Sequence, residues 1–151
     1  MHALLAAVLS HSALARDLHG QVGVGFESQL SGDGALSGRY WLPGGKDAPL
    51  IGVEGVLGMN LDPTQARVSA GARAMGVFLV EDNLNLYGAA GIAWVGGPNV
   101  VRIQPAIGAE FFLFGLENLG VTAEWGLDVD LGSAWRVATP GHPVTGVRYY
   151  F

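Results

Sequence analysis

The sequence contains no cysteine. Disulfides, thiolate metal centres and a cysteine nucleophile are therefore excluded. Charge is also scarce. Charged residues make up 14% of the chain, against about 25% in ordinary soluble domains. Lys46 is the only lysine among 151 residues. The net charge of −5 provides no basic footprint, so nucleic acid is not an expected partner. The body of the chain has no run of about 20 apolar residues, which excludes a membrane-spanning helix there. Helical periodicity of usable length is missing as well. No glycine-rich phosphate loop, zinc-spacing motif or nucleophile elbow occurs. No cofactor is expected.

What is present is oily and patterned. Apolar residues are 50% of the chain, mean hydropathy is +0.34, and glycine occurs 24 times, about twice its usual share. Between Val100 and Leu131 the residues alternate. Val101, Ile103, Ile107, Ala109, Phe111 and Leu113 share one parity, and Arg102, Gln104, Gly108 and Glu110 share the other. After a turn at Gly115-Leu116-Glu117-Asn118 the alternation resumes, with Val121, Ala123, Trp125, Leu127, Val129 and Leu131 against Thr122, Glu124, Gly126, Asp128 and Asp130. Successive side chains of a strand point to opposite faces. This is a hairpin with one apolar face and one charged face. In a soluble sandwich the apolar face would be the core. In a membrane barrel it would meet lipid, and the charges would turn inward.

The same alternation predicts eight strands, roughly Gly20–Leu30, Ala35–Leu42, Leu50–Met59, Ala66–Val80, Leu84–Val95, Val100–Phe114, Leu119–Leu131 and Thr145–Phe151. Glycine, proline, asparagine and aspartate cluster between them as turns. Strands near ten residues suit a tilted membrane crossing, and an even count returns both termini to one side.

The placement of charge favours the membrane reading. Eleven charged residues fall inside the predicted strands: Glu27, Arg39, Glu54, Arg67, Arg73, Arg102, Glu110, Glu124, Asp128, Asp130 and Arg148. Where one strand holds several, they share parity. Six are acids and five are arginines. A solvated face needs no such balance and usually carries lysine. Arginine suits confined ion pairs, because its planar fork grips carboxylates and is weakly hydrated. Gly23, Gly25, Gly52, Gly58, Gly71, Gly108, Gly126 and Gly146 share the charged parity. An eight-stranded barrel is only just wide enough for side chains, so long arginines need missing side chains opposite. The expectation is an all-β, eight-stranded antiparallel up-and-down transmembrane β-barrel with a filled polar lumen and no open pore. Pro105 falls on the apolar parity inside a strand. It should remove one ladder bond and produce a local bulge.

The chain begins with an apolar run, Ala3–Leu9, then Ala13-Leu14-Ala15 and the charged pair Arg16-Asp17. That pattern reads as a secretory signal peptide over residues 1–15, leaving a barrel domain over residues 16–151. It ends with Thr145, Val147, Tyr149 and Phe151 alternating with Gly146, Arg148 and Tyr150. Export signal, eight alternating strands, enclosed charges and a terminal Val-Arg-Tyr-Tyr-Phe resemble the small bacterial outer-membrane barrels of the OmpA/OmpX transmembrane type. The resemblance covers residues 20–151 as a pattern. It implies a place in the bacterial outer membrane, reached through the periplasm, with outer-membrane lipid as surroundings. It also implies that Val147, Tyr149 and Phe151 form the signal read by the outer-membrane insertion machinery.

Chemistry is thinly represented. Ser133 and His142 share the last predicted loop and could form a nucleophile–base dyad of a lipid-modifying enzyme. Asp128 and Asp130 face one way and could hold a proton or a cation, but an ion-pair network with Arg102 or Arg148 explains them as well. The expected role is structural or anchoring rather than enzymatic. The alternatives are an outer-membrane lipid-modifying enzyme and a soluble periplasmic ligand-binding β-barrel.

Overall fold

The computed structural model describes residues 17–151 except 46, 63, 65 and 142. The expected leader, residues 1–15, and His142 lie outside the described residues. Among those described, every regular element is a strand: β1 (Val22–Glu27), β2 (Ala35–Trp41), β3 (Ile51–Asn60), β4 (Arg67–Glu81), β5 (Leu84–Val95), β6 (Val100–Leu113), β7 (Leu116–Gly126), β8 (Asp128–Leu131), β9 (Trp135–Ala138) and β10 (Val144–Tyr150).

The strands form one closed antiparallel barrel. Each of β1 to β6 pairs with the next, β7 pairs with β10, and β10 returns to β1. Ten segments make eight staves. β7 and β8 are one stave on a single register against β6, with Ala106 opposite Gly126 and Ile103 opposite Val129. β9 and β10 are the last stave. Ala138 stands opposite Asp128 and Val144 opposite Glu124.

Alternation decides which way each stave faces. Burial along β3 switches residue by residue, with Val53 and Leu57 outward and Glu54 and Gly58 inward. Val22, Val24 and Phe26 of β1 are exposed, and Glu27 is buried. The exterior carries large apolar side chains around the whole barrel. The charged and small residues fill the inside.

Four sequence-based expectations need correction. The first strand stops at Glu27 rather than Leu30, because Gln29, Leu30 and Ser31 all turn into the barrel and are buried. Leu30 fits because Gly71 and Gly91 lack side chains: a Cβ on either would lie 2.9 or 3.3 Å from a Leu30 methyl. The seventh strand starts early, at Leu116, on a tight turn with Gly115 at φ +79°. That backbone conformation is open to glycine at little cost. The long loop 132–144 contains a strand, β9, so Arg136 lies in a strand and not in a turn. Pro105 produces no bulge. Leu127 N donates to Pro105 O at 2.9 Å, and Pro105 has no N–H to return. One ladder bond is lost and the register is kept. The register shifts occur at Val77/Leu79 and Phe112/Leu113 instead.

Candidate functional site

The barrel interior is built in layers. At the end that holds the termini, Leu18, Trp41, Leu50, Met75, Tyr87, Phe112 and Tyr150 pack into an apolar floor. Leu18 precedes β1 and reaches back under the barrel. Trp41 and Tyr150 are on the inward parity of their strands, as alternation requires.

Above the floor lies an ionic layer. Arg39 Nη2 donates to Glu54 Oε2 at 3.0 Å, and its Nη1 is 3.2 Å from both Glu110 oxygens. Arg73 Nε donates to Glu54 Oε2 at 2.8 Å, and its two terminal nitrogens reach Glu124 at 2.5 and 2.9 Å. Arg148 Nη2 donates to Glu54 Oε1 and, at 2.8 Å, to Ser37 Oγ. Glu54 thus receives three arginines. The Tyr150 hydroxyl donates to Glu110 at 2.8 Å, and the Tyr87 hydroxyl donates to Glu124. The Arg39 guanidinium lies 5.6 Å from the Trp41 ring centroid and 5.5 Å from that of Tyr87, in range for cation–π attraction. The side chains of Arg39, Glu54 and Glu110 are 0% exposed.

Enclosing these ions costs several kcal/mol each unless partners replace water. The network supplies partners at nearly every oxygen. Missing side chains provide the room. A Cβ on Gly108 would sit 2.7 Å from both Glu124 Cγ and Tyr87 Cζ, and one on Gly120 would sit 2.8 Å from Glu110 Oε1. Glu27 is the exception. Its Oε2 accepts Gln29 N at 2.6 Å, and its Oε1 has no partner among the described residues.

Leu30, Ala35, Val56 and Ala93 form a thin apolar layer over the ions. Beyond them, at the end holding the β1–β2, β3–β4, β5–β6 and β8–β9 turns, the barrel opens into a mouth. Here Arg67 forks onto Asp33 at 2.5 and 2.8 Å. Arg102 forks onto Asp130 at 2.7 and 3.1 Å and reaches Asp128 at 3.1 Å. Hydrogen bonding from the Arg67 guanidinium holds the Asp33 carboxyl below its ordinary value of 3.8. Nearby, the Thr64 hydroxyl and amide lower the Asp62 carboxyl.

All eleven charged residues singled out from alternation face the interior, in two groups. Glu27, Arg39, Glu54, Arg73, Glu110, Glu124 and Arg148 lie in the closed layer. Arg67, Arg102, Asp128 and Asp130 lie at the mouth. Asp128 and Asp130 are both engaged by Arg102, and Arg148 belongs to the deeper layer. Among the described residues no group of three or more His, Asp or Glu is placed to hold a metal. Ser133 lines the mouth. Val147, Tyr149 and Phe151 project outward from the last stave. Tyr149 and Phe151 rings meet edge to face at 5.1 Å, and Asn118 Nδ2 donates to the Tyr149 hydroxyl at 3.1 Å.

Sequence reasoning missed Asp33, which the turn brings inward as the partner of Arg67. It also missed Tyr87 as a donor to the ionic layer. Parity within β5 would have found Tyr87, since Asn85 and Ala89 share its face. No local signal marks the inward fold of residues 29–31.

The geometry defines the class: a closed, eight-stranded, antiparallel β-barrel with an ion-paired interior and an apolar exterior. Comparison with known proteins finds no matching family model, no matching curated protein and no matching solved structure.

Proposed function

We propose that the chain is an integral protein of a bacterial outer membrane with a structural or anchoring role and no open pore. One observation carries this reading: the barrel has inverted polarity. Phe26, Leu57, Phe78, Ile92, Ile107 and Trp125 each expose half or more of their surface, on six different staves, while seven ionisable side chains are buried inside. In water an apolar exterior of that extent is an aggregation liability. In a bilayer it is the favourable surface, and the closure of β10 onto β1 pairs the backbone of the first and last staves instead of leaving two free edges. The aromatic residues agree. Tyr40, Phe111, Tyr149 and Phe151 sit toward the terminal end, and Trp94 and Trp135 toward the turn end. Interfacial belts favour such rings.

Floor, ionic layer and inward turn fill the lumen, which supports a closed barrel rather than a channel. The resemblance to OmpA/OmpX-type barrels supports a role for Val147, Tyr149 and Phe151 as the feature read by the insertion machinery. Export through the periplasm follows from the same reading. No observation favours an enzyme over this role.

The test is membrane fractionation of the expressed full chain, combined with gel mobility before and after heating. Recovery in the outer-membrane fraction with heat-dependent mobility is expected. Recovery in the aqueous fraction without detergent would instead support a soluble ligand-binding barrel. A change in lipid A chemistry on expression, lost on Ser133→Ala, would support an enzyme.

A further inference from the structure

We infer that the mouth of the barrel is a binding cup for a small uncharged ligand rich in adjacent hydroxyl groups, a saccharide in chemical class. The cup is a cavity of about 630 Å³, within the roughly 300–1,000 Å³ of small-molecule sites. It is a cup and not the entrance to a channel. Gln29, Ser31 and Gln104 form its base, all nearly fully buried. Beneath them Leu30 seals the ionic layer.

The lining determines the ligand class. Ser28, Arg67, Arg102, Asp128, Ser133 and Arg136 supply donors and acceptors side by side around the cup. Val95, Val100, Ala134 and Val144 stand between these polar groups and no aromatic ring lines the cup, so the C–H faces of a sugar ring meet small aliphatic side chains while its hydroxyls meet the polar ones. A net charge is poorly matched as well. Arg67 is gripped by Asp33, and Arg102 by Asp130 and Asp128, so the lining is already neutralised by its own carboxylates. Arg136, the third cation of the lining, stands opposite Asp130 across the β8–β9 ladder, so three arginines meet three carboxylates and a charged ligand would compete with pairing already in place. A hydroxyl is different. It donates and accepts at once, and it can use remaining lone pairs and N–H groups without displacing either ion. The fork of Arg67 onto Asp33 uses Nε and Nη2, so Nη1 stands outside that pair. The Gln29 backbone is fixed from both sides, by Glu27 Oε2 at 2.6 Å and Gln104 Nε2 at 3.1 Å. Its side-chain amide nonetheless has neither atom partnered among the described residues. A planar donor–acceptor pair of that kind matches two neighbouring hydroxyls.

The cup is also incomplete on one side. β1 ends at Glu27, and its pairing with β10 begins at Gly146. Among the described residues β9 pairs with β8 alone. Ser28 and Pro140 line the cup on either side of this seam. A sugar could arrive free from the mouth or, on the membrane reading above, as the headgroup of a glycolipid entering through the seam.

The experiment uses the full chain in micelles of an amine-oxide detergent, which carries no sugar. Three probes are titrated and followed by calorimetry: a free N-acetylglucosamine disaccharide, a glucosyl diacylglycerol and inorganic phosphate. Saturable binding of a sugar probe is expected, weakened tenfold or more by Ser133→Trp. That substitution fills the cup from its rim and touches none of the ion pairs. Arg67→Met should weaken binding similarly, and Ser133→Trp keeps the test valid if Arg67→Met fails to fold. Binding of the free disaccharide supports the cup wherever the barrel resides. Binding of the glycolipid alone supports the seam as its entrance. No saturable binding of either sugar, tighter binding of phosphate, or unchanged affinity in Ser133→Trp would each overturn the inference.

Discussion

At the residue scale the interior is governed by pairing. Arg73 holds Glu54 and Glu124 together, and all three are buried. Arg73→Gln leaves two enclosed carboxylates short of a partner, so it should destabilise the barrel by about 3–5 kcal/mol, read as a shift in the urea midpoint of refolding into micelles. Gly108→Val should block assembly for a steric reason, since its first added atom already meets Glu124 and Tyr87. Loss of the compact, heat-sensitive gel form checks this. The Asp33–Arg67 pair behaves differently because it is partly exposed, and solvent screening limits it to ~1 kcal/mol. Its folded carboxyl is held below 3.8. A depressed carboxylate contributes stability that is full above the unfolded value and lost as pH falls through the folded one. Asp33→Asn should therefore cost stability at pH 7, and the difference from the parent should vanish well below pH 3.8. A difference that grows on acidification would contradict the pairing.

At the scale of the element, alternation made the strands readable, and their interruptions were harder. β5 begins and ends where periodicity places it, at Leu84 and Val95. The break in the seventh stave could be traced to Pro105, but its form could not. Losing an N–H predicts a missing bond. Whether the chain also slips depends on the neighbours, and here Leu127 keeps its own bond to Pro105 O. Pro105→Val should restore the return bond and raise stability by about 0.5–1.5 kcal/mol, measured by the same urea titration. The inward turn after β1 was not legible. Leu30 reads as one more apolar residue of a strand. Its burial depends on Gly71 and Gly91, about forty and sixty positions away in the chain and adjacent only once β4 and β5 pair.

At the scale of the whole molecule the decisive quantity is the direction in which the sheet is rolled. If the exterior meets hydrocarbon, Val24→Arg at mid-barrel should cost about 2–4 kcal/mol and reduce recovery in the membrane fraction. An equal replacement of outward Asn118 near the rim should cost far less. Equal tolerance at the two positions would argue against a bilayer. The sequence by itself determined that the chain forms strands, and which residues share a face, because a period of two is a local property of the backbone. It also made a balanced set of arginines and carboxylates visible on one face. Tertiary structure alone decided that this face closes on itself, that Glu54 collects three arginines, and that residues 29–31 cap them. Arg39 and Arg73 face Glu54 from its two neighbouring strands, but Arg148 reaches Glu54 and Ser37 from 94 and 111 positions away, and only the closure of the last stave onto the first brings it within hydrogen-bond distance.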